Sequence, residues 1–287
     1  MGKTRTVQKV IKSKPTIEGA GVRLKRAFGF GDTQLYDPFL LLDDFRGNHP
    51  DDYIKGFPWH PHRGIETITY MLRGTAEHGD SLGNKGVIGP GDVQWMTAGN
   101  GIIHQEMPKP DPNGQMWGFQ LWANLPASQK MMYPRYRDVT SKQIPEITTS
   151  NGVKVKIIAG EIDGTKGAVQ DVVIDPTYLD VNMPARSSFL YPTKHGHTCL
   201  AYVFDGTAYF SPEKRELVGN EHLVLFGDGD EVAASTEDQP ARFLLFSGKP
   251  LREPVAWYGP IVMNTQEELA IALDELHNDT FIKHTKS

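Results

Sequence analysis

The sequence predicts an all-β protein: two β-barrel domains of similar length, closed by one short C-terminal α-helix. Three observations predict it. Seven short runs rich in branched and aromatic residues are separated by turn formers drawn from 29 glycines and 20 prolines, the pattern of a sandwich or barrel. A helical pattern is convincing in one place, near the end. The first half also echoes weakly in the second. Thr69-Tyr70-Met71-Leu72-Arg73-Gly74-Thr75-Ala76 is similar to Ala201-Tyr202-Val203-Phe204-Asp205-Gly206-Thr207-Ala208, and Gly89-Pro90-Gly91-Asp92-Val93 to Gly227-Asp228-Gly229-Asp230-Glu231-Val232. Two copies of one β fold explain the echo.

Composition narrows the function classes. A chain of 287 residues accommodates two domains of about 140 residues each. Thirty basic against 35 acidic residues give a net charge of -5, which argues against a nucleic-acid-binding surface. Cys199 is the single cysteine, so no disulfide forms and a reducing compartment is consistent. The basic segment 1–14 has no apolar run and does not read as a secretory signal. No stretch is apolar for long enough to span a bilayer. Met1-Gly2-Lys3-Thr4-Arg5-Thr6 fits the loose myristoylation pattern, and Asn278-Asp279-Thr280 is a glycosylation sequon. The first is short enough to arise by chance and the second has no use without export. The expectation is a soluble, cytoplasmic protein, nuclear as well in a eukaryote, with no membrane or direct nucleic-acid partner, working as a monomer.

In chain order, residues 7–11 form the first predicted strand. The stretch from Trp59 to Pro108 then carries two clusters, His60-Pro61-His62 and His104-Gln105-Glu106. Residues two apart on a strand share a face, so His60 with His62, and His104 with Glu106, converge if their strands turn these faces into one barrel. Three imidazoles and a carboxylate suit a divalent transition metal, and four ligands on an octahedral ion leave two positions open for substrate or dioxygen. Glu66, four after His62, has a comparable claim to the fourth position by spacing alone. Gly64 between them can host a bulge that turns Glu66 away, and Pro61 suggests a strand edge or bulge. Runs 67–72 and 93–96 follow as strands. Trp59, Trp95, Trp117, Phe119 and Trp122 crowd this half; most are expected in the barrel core, with one or two lining a pocket for a flat aromatic molecule. His49, His78, His222, His277 and His284 read as surface or hydrogen-bonded side chains.

Residues 138–152, where Ser, Thr, Pro and Asn accumulate, read as the junction, giving domains 1–145 and 146–287. Strands are predicted over 153–158, 201–204, 222–226 and 242–246. His195-Gly196-His197 echoes the first histidine pair, but no glutamate or third histidine follows it, so the second domain reads as metal-free. Thr265-Gln266-Glu267-Glu268 opens the helix as a capping box, with Leu269, Ala272, Leu273 and Leu276 on one face, packed on the outside of a β domain.

His60-x-His62, Gly74, Pro90-Gly91-Asp92 and His104 are similar to the two cupin motifs. More closely, the chain resembles the pirin family through Asp37-Pro38-Phe39-Leu40-Leu41-Leu42-Asp43-Asp44-Phe45, His60-Pro61-His62-Arg63-Gly64-Ile65-Glu66-Thr67, the run from Gln94 to His104, Gln120-Leu121-Trp122-Ala123-Asn124-Leu125, Arg252-Glu253-Pro254-Val255 and Gly259-Pro260 with Val262-Met263-Asn264-Thr265. The resemblance implies two cupin jelly-roll barrels face to face, the first holding iron, with Glu106 favoured over Glu66 as fourth ligand. It implies Fe(II), although the donor set also admits Mn, Ni, Cu or Zn. It further implies a quercetin 2,3-dioxygenase activity: a flavonol and dioxygen meet at the metal, Glu106 acts as general base, and the ring opens with release of carbon monoxide. The alternative that the family carries is a non-enzymatic, metal- or redox-sensing protein that binds a transcription factor or an enzyme.

Overall fold

The computed structural model describes residues 2–283; His284 therefore lies outside the described residues, as does the Met1 end of the myristoylation pattern. Every predicted strand is present, most extended by a residue or more. Run 67–72 lies within Ile65–Arg73, 201–204 within Thr198–Tyr209, and His222–Phe226 has the expected ends. The helix spans Gln266–His277, and Thr265 and Glu268 form the expected reciprocal capping box. Among the described residues no helix is long and apolar enough to cross a membrane.

The chain divides into two compact units, one of residues 15–141 with 251–287 and the other of 1–14 with 142–250. This differs from a single cut at 145/146. The N-terminal strand Val7–Lys12 pairs with His222–Phe226 in the second unit's sheet, and the C-terminal helix belongs to the first unit. The physical reason is local to each. Arg5, fully buried, donates to the carbonyls of Lys194, His197 and Gly227 and to Thr193, which anchors the N-terminus there. At the other end Leu269 and Ala272 pack with Ala256, Ile261, Met263 and Phe281, with Leu273 and Leu276 alongside. Arg63 then clamps the tail, pairing with Glu275 at 2.8 Å, donating to the Phe281 carbonyl at 2.9 Å and lying 4.1 Å over its ring.

The first unit is built from two antiparallel sheets. A seven-stranded sheet contains, in adjacent order, Val93–Thr97, Ile65–Arg73, Met116–Asn124, Phe39–Gly47 and Val22–Phe28. A four-stranded sheet runs Phe57–His62, Ile102–Lys109, Thr75–Asp80 and Lys85–Ile88. A cavity of about 620 Å³ is lined by side chains of both sheets. In the second unit Phe189, Tyr191, Phe210, Phe226 and Phe243 pack with many aliphatic residues into one core, and its cavity of about 620 Å³ lies to one side of that core, between Gly160, Asp171, Thr177 and Thr193. That core is apolar, whereas the first unit's chamber carries charged and amide side chains, Arg26, Asp43, Glu106 and Gln120, among largely apolar walls.

Candidate metal centre

The strand Phe57–His62 lies at the edge of the four-stranded sheet, where Pro61 loses no ladder bond on its open side. It pairs with Ile102–Lys109 so that His104 stands directly opposite His60. One ring nitrogen from each of His60, His62 and His104 lies within 4.8 Å of the other two. Sequence spacing and cross-strand register together bring the three rings to one point.

Their hydrogen bonds define what the cluster can hold. His60 Nδ1 is 2.8 Å from the Pro58 carbonyl and His62 Nδ1 is 3.1 Å from the Pro260 carbonyl. A carbonyl only accepts, so both Nδ1 atoms carry hydrogen. Burial first, and the neighbouring His60 second, push His62 well below the ordinary histidine range, against the Pro260 carbonyl. Its ring is neutral, with a bare lone pair on Nε2. That lone pair faces His60 Nε2 at 3.1 Å, a separation that requires a cation between the two nitrogens, a proton or a metal. Two imidazole nitrogens at right angles around one ion, each about 2.1 Å away, lie about 3.0 Å apart. His104 is completely buried, and neither of its ring nitrogens has a protein partner. Burial, then His62, His60 and His78, hold it neutral too. Orphaned buried nitrogens of this kind cost free energy unless a ligand satisfies them, and a divalent metal fits this donor set.

The two candidate carboxylates separate. Glu66 lies on the outer side of the seven-stranded sheet, buried, accepting from the Thr97 hydroxyl at 2.6 Å. Gly64, with φ of +78°, ends the histidine strand, and Glu66 belongs to a strand of the other sheet. Glu106 is buried and lines the cavity with His60 and His62, but it is outside the three-histidine set. A register shift falls between His104 and Glu106, and Glu106 Oε1 accepts from the Thr69 hydroxyl at 2.8 Å.

Aromatic residues surround the cluster. Trp122 meets His62 edge-on at 5.0 Å and lies 6.0 Å from Trp257. Trp95 and Phe119 are core, as expected, while Trp59 lines the cavity and is half exposed. Three residues were not legible as site residues. Pro260 and Trp257 come from a distant hairpin, and Lys130 lies beneath the site. The buried Lys130 ammonium donates to Gly64 O at 2.8 Å, Asn124 Oδ1 at 2.7 Å and Val262 O at 3.0 Å. Each acceptor lies two residues from a group touching or forming His62's setting: His62 itself, Trp122 and Pro260.

The second histidine pair does not assemble. His195 and His197 fall in the turn before Thr198–Tyr209, not on a strand. His195 is exposed between Asp228 and Asp230, and His197 faces Asp175 at 3.9 Å. Of the histidines expected to be ordinary, His78 is buried and bonded to the Tyr136 hydroxyl.

The family model described as Pirin matches residues 21–123, and the one described as Pirin C-terminal cupin domain matches residues 178–282. The Pirin-like protein of Caulobacter vibrioides is 44% identical over 96% of this chain and 99% of its own. Pirin of Homo sapiens is 39% identical over 97% of this chain and 94% of its own. The crystal structure of a quercetin 2,3-dioxygenase from Acinetobacter baumannii superposes with a TM-score of 0.89 at 31% identity, covering 97% of this chain and 98% of that one. With two cupin domains, a three-histidine cluster in the first and near full-length relatives, the chain belongs to the pirin family.

Proposed function

We propose that this protein is an iron-dependent dioxygenase acting on a flat, oxygen-substituted aromatic molecule, for which a flavonol such as quercetin is the model. The observation that carries the reading is the three-histidine cluster: His60 and His62 stand at the wall of a chamber of about 620 Å³ with tryptophans around it, and His104 beside them has no protein partner for either ring nitrogen. His60, His62 and His104 would hold the metal, Fe(II) in our reading, and Glu106 would complete the set. When bound, the metal supplies a Lewis acid and a one-electron centre for chemistry between the substrate and dioxygen.

The chain's own groups do the rest. Glu106 takes the proton of the substrate hydroxyl as general base. The Thr69 hydroxyl, donating to Oε1, fixes the carboxylate's orientation. Trp122 and Trp257 provide apolar faces for a planar ring. The A. baumannii protein's name supports this reading, and a cytoplasmic setting, which keeps iron ferrous, goes with it. A metal- or redox-sensing partner of a transcription factor or enzyme needs the metal but has no use for the chamber, which favours catalysis.

The test is anaerobic loading with Fe(II) followed by exposure to air with quercetin. Loss of the flavonol absorbance well above that with an equal amount of free iron is expected, and its disappearance in His60→Ala/His104→Ala. A rate no greater than free iron contradicts the proposal.

A further inference from the structure

One row of polar side chains crosses the floor of the cavity, and beyond Thr69 it plays no part in holding the metal. Arg26 stands directly opposite Asp43, Asp43 opposite Gln120, and Gln120 opposite Thr69, on four adjacent strands of the seven-stranded sheet. All four line the cavity. Directly paired residues lie side by side across a sheet, so with strands about 4.8 Å apart the row runs about 14 Å. At one end Thr69 meets Glu106. At the other Arg26 pairs with Glu18 at 2.8 Å.

Charged and amide side chains lining a barrel interior are uncommon, and this row keeps unused hydrogen-bonding capacity. Arg26 grips Asp43 through two parallel bonds, Nε to Oδ1 at 2.7 Å and Nη2 to Oδ2 at 2.6 Å. Each carboxylate oxygen retains a lone pair for a further donor. Thr69 Oγ1 lies 2.8 Å from Glu106 Oε1 and 2.7 Å from Gln120 Oε1. One hydroxyl hydrogen cannot serve both acceptors, so the Gln120 amide is turned over, with Nε2 donating to Thr69 and Oε1 left to the cavity. The result is a line of acceptors, Gln120 Oε1 and the Asp43 carboxylate, leading away from the metal cluster.

We propose that this row is a specificity track that reads hydroxyl groups on the part of the substrate remote from the metal, with Asp43, held by Arg26, as its main acceptor. It rests on the dioxygenase reading above and adds the substrate's shape: a molecule of linked rings, hydroxylated at the end away from its chelating pair. A ligand carrying only the chelating hydroxyl and carbonyl leaves the track unpaired.

The test uses the full chain loaded with zinc, which has no redox chemistry, and calorimetric titration with 3-hydroxyflavone and with quercetin, whose outer rings carry hydroxyls. Wild type is expected to bind quercetin at least tenfold more tightly. Arg26→Met/Asp43→Leu removes the ion pair as a unit, an exchange that folds tolerate better than loss of one partner. It should weaken quercetin alone and bring the two affinities within threefold. Gln120→Leu, one rung nearer the metal, should lower the ratio by threefold or more and decides the matter if the double variant does not fold. Equal wild-type affinities, or an unchanged ratio in the variants, overturn the track and leave the dioxygenase reading standing. Failure of both flavonols to bind wild type overturns both readings.

Discussion

Exchanging Glu106 for Gln is expected to lower flavonol turnover by about 10²- to 10⁴-fold, the usual contribution of a positioned general base. The amide fills the same space and still accepts from Thr69, but it cannot take a proton. Metal content measured on the same sample separates the two roles assigned to Glu106. Iron retained at the wild-type level with turnover lost identifies the base, whereas iron lost with turnover identifies a required ligand. Turnover within twofold of wild type contradicts both. Glu66→Gln serves as the contrast, since Glu66 lies across the sheet and bonds Thr97; it should leave the flavonol rate within a few-fold of wild type.

The second large effect belongs to Lys130. Its ammonium is completely enclosed and satisfies three acceptors at 2.7 to 3.0 Å. Burial lowers its pKa to about 7, opposed by Glu253 and Glu268. Lys130→Met keeps much of the side-chain volume and leaves the Val262 carbonyl and the Asn124 amide oxygen without their donor, while the Gly64 carbonyl keeps only the Leu125 N–H at 3.3 Å. At about 1–3 kcal/mol for each buried group left unsatisfied, denaturant unfolding should show a loss of about 3 kcal/mol or more. Exchange of the exposed Lys249 should stay within about 0.5 kcal/mol. Equal stabilities would mean that the three acceptors find other partners and that Lys130 is not a strut under the histidine loop.

The fold was legible where local chemistry dictates it. Runs such as 222–226 carry strand-forming side chains between turn formers, and the Thr265–Glu268 box is a self-contained helix start. The histidine cluster was legible because period two is a property of any strand, and it survives the edge position of Pro61. The same rule misleads at His195 and His197. Gly196 has φ of +72°, so the backbone turns there and the two rings part. Glu106 shows a subtler limit. Spacing puts it on His104's face, yet the register shift between them and the Thr69 hydroxyl decide where its carboxylate points. Glu66 is the converse: counting four residues from His62 assumes one strand, and Gly64 ends that strand.

Long-range partners carried no local signal. The Pro260 carbonyl that orients His62 is 198 positions away in sequence, and Lys130 reaches Val262 across 132. The exchange of terminal segments between the two units has the same origin. Nothing near Arg5 announces that its guanidinium finishes among carbonyls of residues 194–227. Nothing near the helix states that its apolar stripe closes over the first unit's hairpin strands.

The central claim is that His60, His62 and His104 exist to hold a metal. The direct measurement is elemental analysis of protein purified without a histidine tag, in wild type and in His60→Ala/His104→Ala. One transition-metal ion per chain in wild type, iron in our reading, and none in the variant is the predicted result. No metal in wild type, or the same content in both, would contradict it, and the 3.1 Å approach of His60 and His62 would then be a shared proton.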